Sequence, residues 1–156
     1  MLRVLNLPFN LASQAGILSS ALNDSKIKSS SAYKSSNMSE YKPDFELSGT
    51  RIASILRRIN CFIRSVGRFD VYLHHTGGSL LSHHLGYLDA KINAKLGKTC
   101  IPIFHGSELR QPSIENKRNP YYENPYNEDD KRAIELLEFW SSISNISHSN
   151  MFLILS

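Results

Sequence analysis

His105, Gly106, Ser107, Glu108 and Arg110 bring an imidazole, a hydroxyl, a carboxylate and a guanidinium together within six residues. They follow Thr99-Cys100-Ile101-Pro102-Ile103-Phe104, a short apolar run bounded by turn chemistry, which is the pattern of a buried strand. Gly106 lets the chain leave that strand sharply, so His105 is expected at the strand's carboxyl end. In open α/β sheets ligands bind along that edge. A neutral imidazole offers one donor and one acceptor, which suits hydroxyl binding better than proton transfer. Glu108 and Arg110 would orient an acceptor or fix their own loop. As an exposed ion pair they would contribute about 0–1 kcal/mol.

The other histidines divide by position. His74 and His75 are successive on a strand and point to opposite faces, and His83 and His84 on a helix lie about 100° apart. Neither pair converges and no carboxylate stands at zinc spacing, so no metal is expected. His75, Thr76 and Gly77 follow a strand and are expected to line the same edge as His105. A Gly-x-Ser-x-Gly elbow is absent, which argues against Ser-His-Asp catalysis. The first strand is not followed by Gly-x-Gly-x-x-Gly, which argues against a dinucleotide enzyme. No cofactor is expected.

These residues need a scaffold, and 156 residues provide one domain with room for a core. Eighteen basic residues against fourteen acidic ones give +4, a mild preference for an anionic partner. Nucleic acid is not favoured, because zinc-finger spacing, long basic runs and basic-aromatic repeats are all missing. Cys61 and Cys100 sit in apolar stretches and read as buried thiols, with no disulfide framework. Asn6, Asn10 and Gln14 interrupt the N-terminus, so a signal peptide is not expected. No apolar window is long enough to span a membrane. A cytoplasmic location follows from these features.

In chain order, Leu2–Leu7 reads as a strand and residues 10–22 as a helix carrying Leu11, Ala15, Leu18 and Leu22, capped by Asn10 or Ser13. Residues 26–33 are a weak strand whose serines argue against a central place. Residues 34–49 read as a polar loop. Thr50–Val66 is the clearest helix. Its Ile52, Ile55, Leu56, Ile59, Phe62, Ile63 and Val66 share one face, expected to pack on the core, with Arg51, Arg57, Arg58 and Arg64 as the solvated remainder. Alternatively those arginines would hold the domain against anionic lipid. Residues 69–74 form a strand, 80–96 a helix stopped by Gly97, and 99–104 a strand. Residues 111–127 form a loop, 129–143 a helix and 151–156 a last strand. Alternating strands and helices predict an α/β fold with a Rossmann-like doubly wound parallel sheet.

Four segments together resemble the N-terminal domain of GT-B fold glycosyltransferases, the retaining, family-4-like kind. They are LRVLNLPFNLASQAGILSSAL, FDVYLHHTGGSLL, AKLGKTCIPIFHGSELR and the helix from Asp129 to Trp140 placed before a strand. The resemblance covers most of residues 1–156 and is weakest over 24–48. It implies a hexosyltransferase that moves a sugar from a nucleotide-sugar donor to a saccharide or lipid-linked acceptor, without a catalytic metal. His105 matches the family's histidine that contacts the transferred sugar. Asn10 to Gln14 matches the loop near the donor phosphates, although the usual glycine pair is missing and only Gly16 is near. The remaining candidate substrate contacts are His75, Thr76, Gly77, Gly106, Ser107, Glu108 and Arg110.

The family's second, donor-binding domain, with its paired glutamates, has no counterpart here. Glu115 and Glu123 have seven residues between them but belong to the wrong half. The expectation is an acceptor-side domain that is inactive alone, a fragment of an enzyme acting in the cytoplasm or peripherally at the inner face of the cell membrane. The alternative is a non-catalytic binding subunit completed by a separate donor-domain chain.

Overall fold

The strand Arg3–Leu7 (β1) is buried from Val4 onward on both faces, which is why its sequence is nearly continuously apolar rather than alternating. It is the middle of a five-stranded sheet in this computed structural model, which describes residues 1–35, 40–81, 85–105, 114, 117 and 130–143. The other strands are Lys28–Tyr33 (β2), Phe45–Glu46 (β3), Val71–His75 (β4) and Thr99–Ile103 (β5). The order is β3-β2-β1-β4-β5 and every pairing is parallel. The helices are Gln14–Asp24 (α1), Arg51–Ser65 (α2), Leu88–Lys95 (α3) and Lys131–Ile143 (α4). This is the α/β, Rossmann-like doubly wound sheet that the alternation of elements predicts.

Paired residues of parallel neighbours share a face, so Leu5, Leu7, Tyr72, His74 and Cys100 form one surface of the sheet. Cys61 of α2, Ala90 of α3 and Leu136 and Trp140 of α4 close over that surface and make the main core. Right-handed crossovers put α1, which packs on β1 and β2, on the opposite face.

Several sequence expectations change. β2 is an internal strand, paired with β1 on one side and β3 on the other, despite its serines. Its polar groups are answered locally: Asn23 accepts from the Ser29 amide at 2.8 Å, and Asp44 accepts from the Ser31 amide at 2.8 Å. The expected loop over 34–49 contains β3 and buries Leu47. Among the described residues the expected helix over 80–96 begins at Leu88, because Gly86 and Tyr87 turn the chain at φ 58° and 56°. Residues 36–39, the loop over 111–127 apart from residues 114 and 117, and the strand over 151–156 lie outside the described residues.

The largest change concerns α2. Its fully buried residues are Cys61 and Ser65, and Ser54 and Arg58 lie on the same side. Tyr72 Oη donates to the Ser65 carbonyl at 2.6 Å, Ser54 Oγ to the Leu47 carbonyl at 2.9 Å and Arg58 Nη1 to the Leu80 carbonyl at 3.1 Å. Ile52, Ile55, Leu56, Ile59 and Ile63, expected in the core, are instead 42–72% exposed. The polar groups brought inward find carbonyl acceptors, Ser65 Oγ that of Phe62 at 3.3 Å.

Candidate functional site

β1 is continued to β2 on one side of the sheet and flanked by β4 on the other, so the strand order reverses between β1 and β4. At such a switch point the connecting loops diverge and leave a crevice outside the carboxyl ends of the strands. The loops here are Pro8–Ser13 after β1 and Thr76–Gly78 after β4, with Phe104-His105 ending the β5 side.

Asn6 is the buried polar residue of β1, with no exposed surface. Its Nδ2 donates to Ser29 Oγ at 3.0 Å and to the Ser30 carbonyl at 3.4 Å. A carbonyl only accepts, so the amide nitrogen faces β2 and Oδ1 faces β4. Oδ1 lies 3.3 Å from His75 Nε2, which must therefore carry the proton. In neutral His75 the other nitrogen, Nδ1, is then an acceptor, and it lies 3.4 Å from His105 Nε2. His105 donates through Nε2, and in its neutral form Nδ1 holds the lone pair. The His75 and His105 rings are 5.5 Å apart and nearly parallel, at 11°.

Burial, aided by His105 and His74 nearby, pushes the His75 pKa down from 6.5 to about 4. His75 is thus neutral near pH 7, as the hydrogen-bond chain requires. The ordered sequence Asn6, His75, His105 fixes the tautomer of the outermost imidazole from inside the sheet.

His74 points the other way and has a different role. Its Nδ1 donates to the Gly78 carbonyl at 2.8 Å, and its ring lies 4.7 Å from that of Trp140. Burial lowers its pKa, against the opposing pull of Asp89. Its Nε2 finds no hydrogen-bond partner among the described residues. Asp89 accepts from Ser79 Oγ and from the Leu80 amide, at 2.8 Å for the latter. His74 is a core histidine.

Asn10 and Gln14 flank the β1 loop. Asn10 Oδ1 accepts from the amides of Ala15 at 3.0 Å and Gly16 at 3.4 Å, so it caps α1 although Ser13 holds the cap position without a side-chain bond. Those amides would otherwise be the donors for a phosphate. Gly16 serves packing: a Cβ there would lie 2.5 Å from Tyr41 Cβ. Gln14 Oε1 is shielded from solvent and accepts no hydrogen bond among the described residues. The ring of Phe9 packs on Gly78, joining the β1 and β4 loops.

Thr76 is half-buried at φ 58°, between His75 and Gly77. Gly77 is buried at φ +61°, where a Cβ would come within 2.7 Å of Phe104 Cε1. Its carbonyl accepts from Trp140 Nε1 at 3.1 Å. Gly77 therefore docks α4 onto the sheet. Gly106, Ser107, Glu108 and Arg110 lie outside the described residues, as do His83 and His84.

The structure thus joins His75 to His105 and adds Asn6, which sequence reasoning missed. The signal was present: an amide side chain between Leu5 and Leu7 in a central strand must find partners when buried. Among the described residues no group of three metal-ligating side chains could hold an ion. No described helix is long and apolar enough to cross a membrane. Comparison with known proteins finds no family model, no curated protein and no solved structure that matches the chain.

Proposed function

We propose that this domain is the acceptor-side half of a retaining, nucleotide-sugar-dependent glycosyltransferase, with His105 hydrogen-bonding the transferred sugar. One observation carries the reading. The imidazole at the carboxyl end of β5 is anchored through His75 to the buried Asn6, so its donor and acceptor nitrogens are assigned before a ligand arrives. A site that recognises a hydroxyl by direction needs an imidazole whose tautomer is preset.

Two further features favour a sugar over a dinucleotide. The first-turn amides of α1 are occupied by Asn10, which removes the usual pyrophosphate cradle. Gln14 Oε1 accepts from no described group, so a ligand hydroxyl that displaces its cover would find an acceptor there. The diphosphate leaving group would be stabilised by a second, donor-binding domain, so the present domain binds without turning over.

Imidazole resonances of the intact chain test this. Nucleotide-hexoses at millimolar concentration are expected to shift the His105 signals and the Gln14 amide, and His105→Ala is expected to abolish the Gln14 response. A response to NAD with none to any nucleotide-sugar would replace this reading with a dinucleotide site.

A further inference from the structure

α2 turns Ile52, Ile55, Leu56, Ile59 and Ile63 to solvent, on the side opposite Cys61 and Ser65. At the helical turn per residue the five fall within an arc of about 100° that holds no charged residue. The arginines of the helix stand outside that arc. Arg57 Nη1 donates to the Ser48 carbonyl and the Arg64 guanidinium lies 5.4 Å over the Phe45 ring, so both are directed to the segment that precedes α2. Arg58 turns inward to the Leu80 carbonyl. Arg51, in the first turn, is left nearest the rim of the stripe.

The spacing of the stripe is its own complement. Ile52, Leu56, Ile59 and Ile63 are separated by four, three and four residues, the alternation of a two-helix seam, and the intervals read the same from either end. Set antiparallel against a second α2, Ile52 meets Ile63 of the other copy and Leu56 meets Ile59, about a two-fold axis level with positions 57 and 58. In that register Arg51 comes level with the last turn of the other α2, whose open carbonyls favour a cation. About 20 Å of helix axis then separates one Arg51 from the other, and one Arg64 from the other. At 42–72% exposure the five aliphatics offer roughly 500 Å² per copy and about 1,000 Å² in a pair, the size at which specific interfaces begin.

We infer that the outer face of α2 is a homodimer interface, in which two copies of this chain pack their aliphatic stripes antiparallel across a two-fold axis. Charge favours this occupant over an anionic surface. An interfacial helix presents cations along both edges of its apolar band, whereas two of the exposed arginines here are turned to Ser48 and Phe45. The inference rests on α2 alone and stands whether or not the site at β1 and β4 takes a sugar.

Sedimentation velocity of the full chain between about 1 and about 300 μM tests it. The wild type is expected to pass from monomer to dimer over that range, and raised salt is expected to leave the dimer intact because its seam is apolar. Leu56→Glu/Ile59→Glu puts carboxylates at the centre of the seam and is expected to weaken association on the order of a hundredfold or more. Both positions are exposed in the single chain, so an unchanged circular dichroism spectrum confirms folding. Below the dissociation constant the chains are separate, and substitutions on this face are expected to leave the urea midpoint nearly unchanged. Register is read independently in an Ile52→Cys/Ile63→Cys variant. Its two new thiols lie about 16 Å apart along one helix and cannot bridge within it, so mild oxidation is expected to give a covalent dimer. A folded wild type that stays monomeric throughout overturns the inference, as does a dimer that Leu56→Glu/Ile59→Glu leaves intact. Absence of the cross-link overturns the antiparallel seam. A monomeric wild type that floats with phosphatidylglycerol vesicles would assign the face to a bilayer instead.

Discussion

Helices α4 and α2 are both amphipathic, and they place their apolar faces oppositely. In α4, Ala133, Leu136 and Trp140 are buried. Trp140 fills the space under Gly77, donates to its carbonyl at 3.1 Å and meets His74 and Phe139 ring to ring. In α2, which carries the more continuous stripe, five large aliphatics face outward while serine, cysteine and arginine face the sheet. Apolarity alone therefore does not choose the buried face. The satisfaction of polar groups chooses it: Ser54, Arg58 and Ser65 each donate to a backbone carbonyl, and the Ser65 carbonyl accepts from Tyr72.

The largest expected effect lies on the α4 side. Trp140→Ala removes a fully buried ring and leaves the Gly77 carbonyl unanswered, and is expected to cost about 3–5 kcal/mol in urea unfolding. A loss below about 1 kcal/mol would mean that α4 contributes little to the core and would dissolve the contrast.

Acid is expected to act next, at the two histidines that end β4 on opposite faces of the sheet. His75 has a folded pKa of about 4 against 6.5 unfolded, so below pH 6.5 the unfolded chain takes up the proton first. Stability should be full above that pH and decline as pH falls toward 4, by up to ~3 kcal/mol from this group. His74, lowered in the same direction, adds to the decline and lies against Trp140. Urea midpoints followed by Trp140 fluorescence from pH 7 downward measure it. A midpoint independent of pH across this window would refute the neutral-histidine chain.

Within α2 two substitutions sharpen the comparison. Cys61→Leu overfills the contact with the sheet and is expected to destabilise by about 1–3 kcal/mol. Ile59→Ser, on the outer face, is expected to change stability by no more than about 0.5 kcal/mol. Equal losses at the two positions would show that α2 buries the face that its apolar pattern suggests. The wild-type and variant midpoints in one denaturant series decide this.

Much of the fold was legible locally. The apolar runs of β1, β4 and β5, the Gly67 and Gly97 stops and the alternation of strand with helix are set by short-range periodicity and turn chemistry. So was the carboxyl-end position of His105 and the nearness of His75, because both follow strands of one parallel sheet. β2 was underrated because serines are poor strand formers until Asn23 and Asp44, brought alongside by the fold, bind its backbone. Asn6 was passed over because a single amide in a strand carries no pattern, and its partners lie 23 and 69 residues away at Ser29 and His75.

By itself, then, the sequence determined the α/β class, the approximate element order and the edge at which His75 and His105 stand. These depend on intervals of two and four residues, which a reader can count. Tertiary structure alone decided which face of α2 is inside, that His74 packs in the core against Trp140, and that Asn6 governs the tautomer of His75. Those outcomes depend on contacts between residues far apart in the chain, where packing fit and the cost of an unpaired buried polar group outweigh local preference.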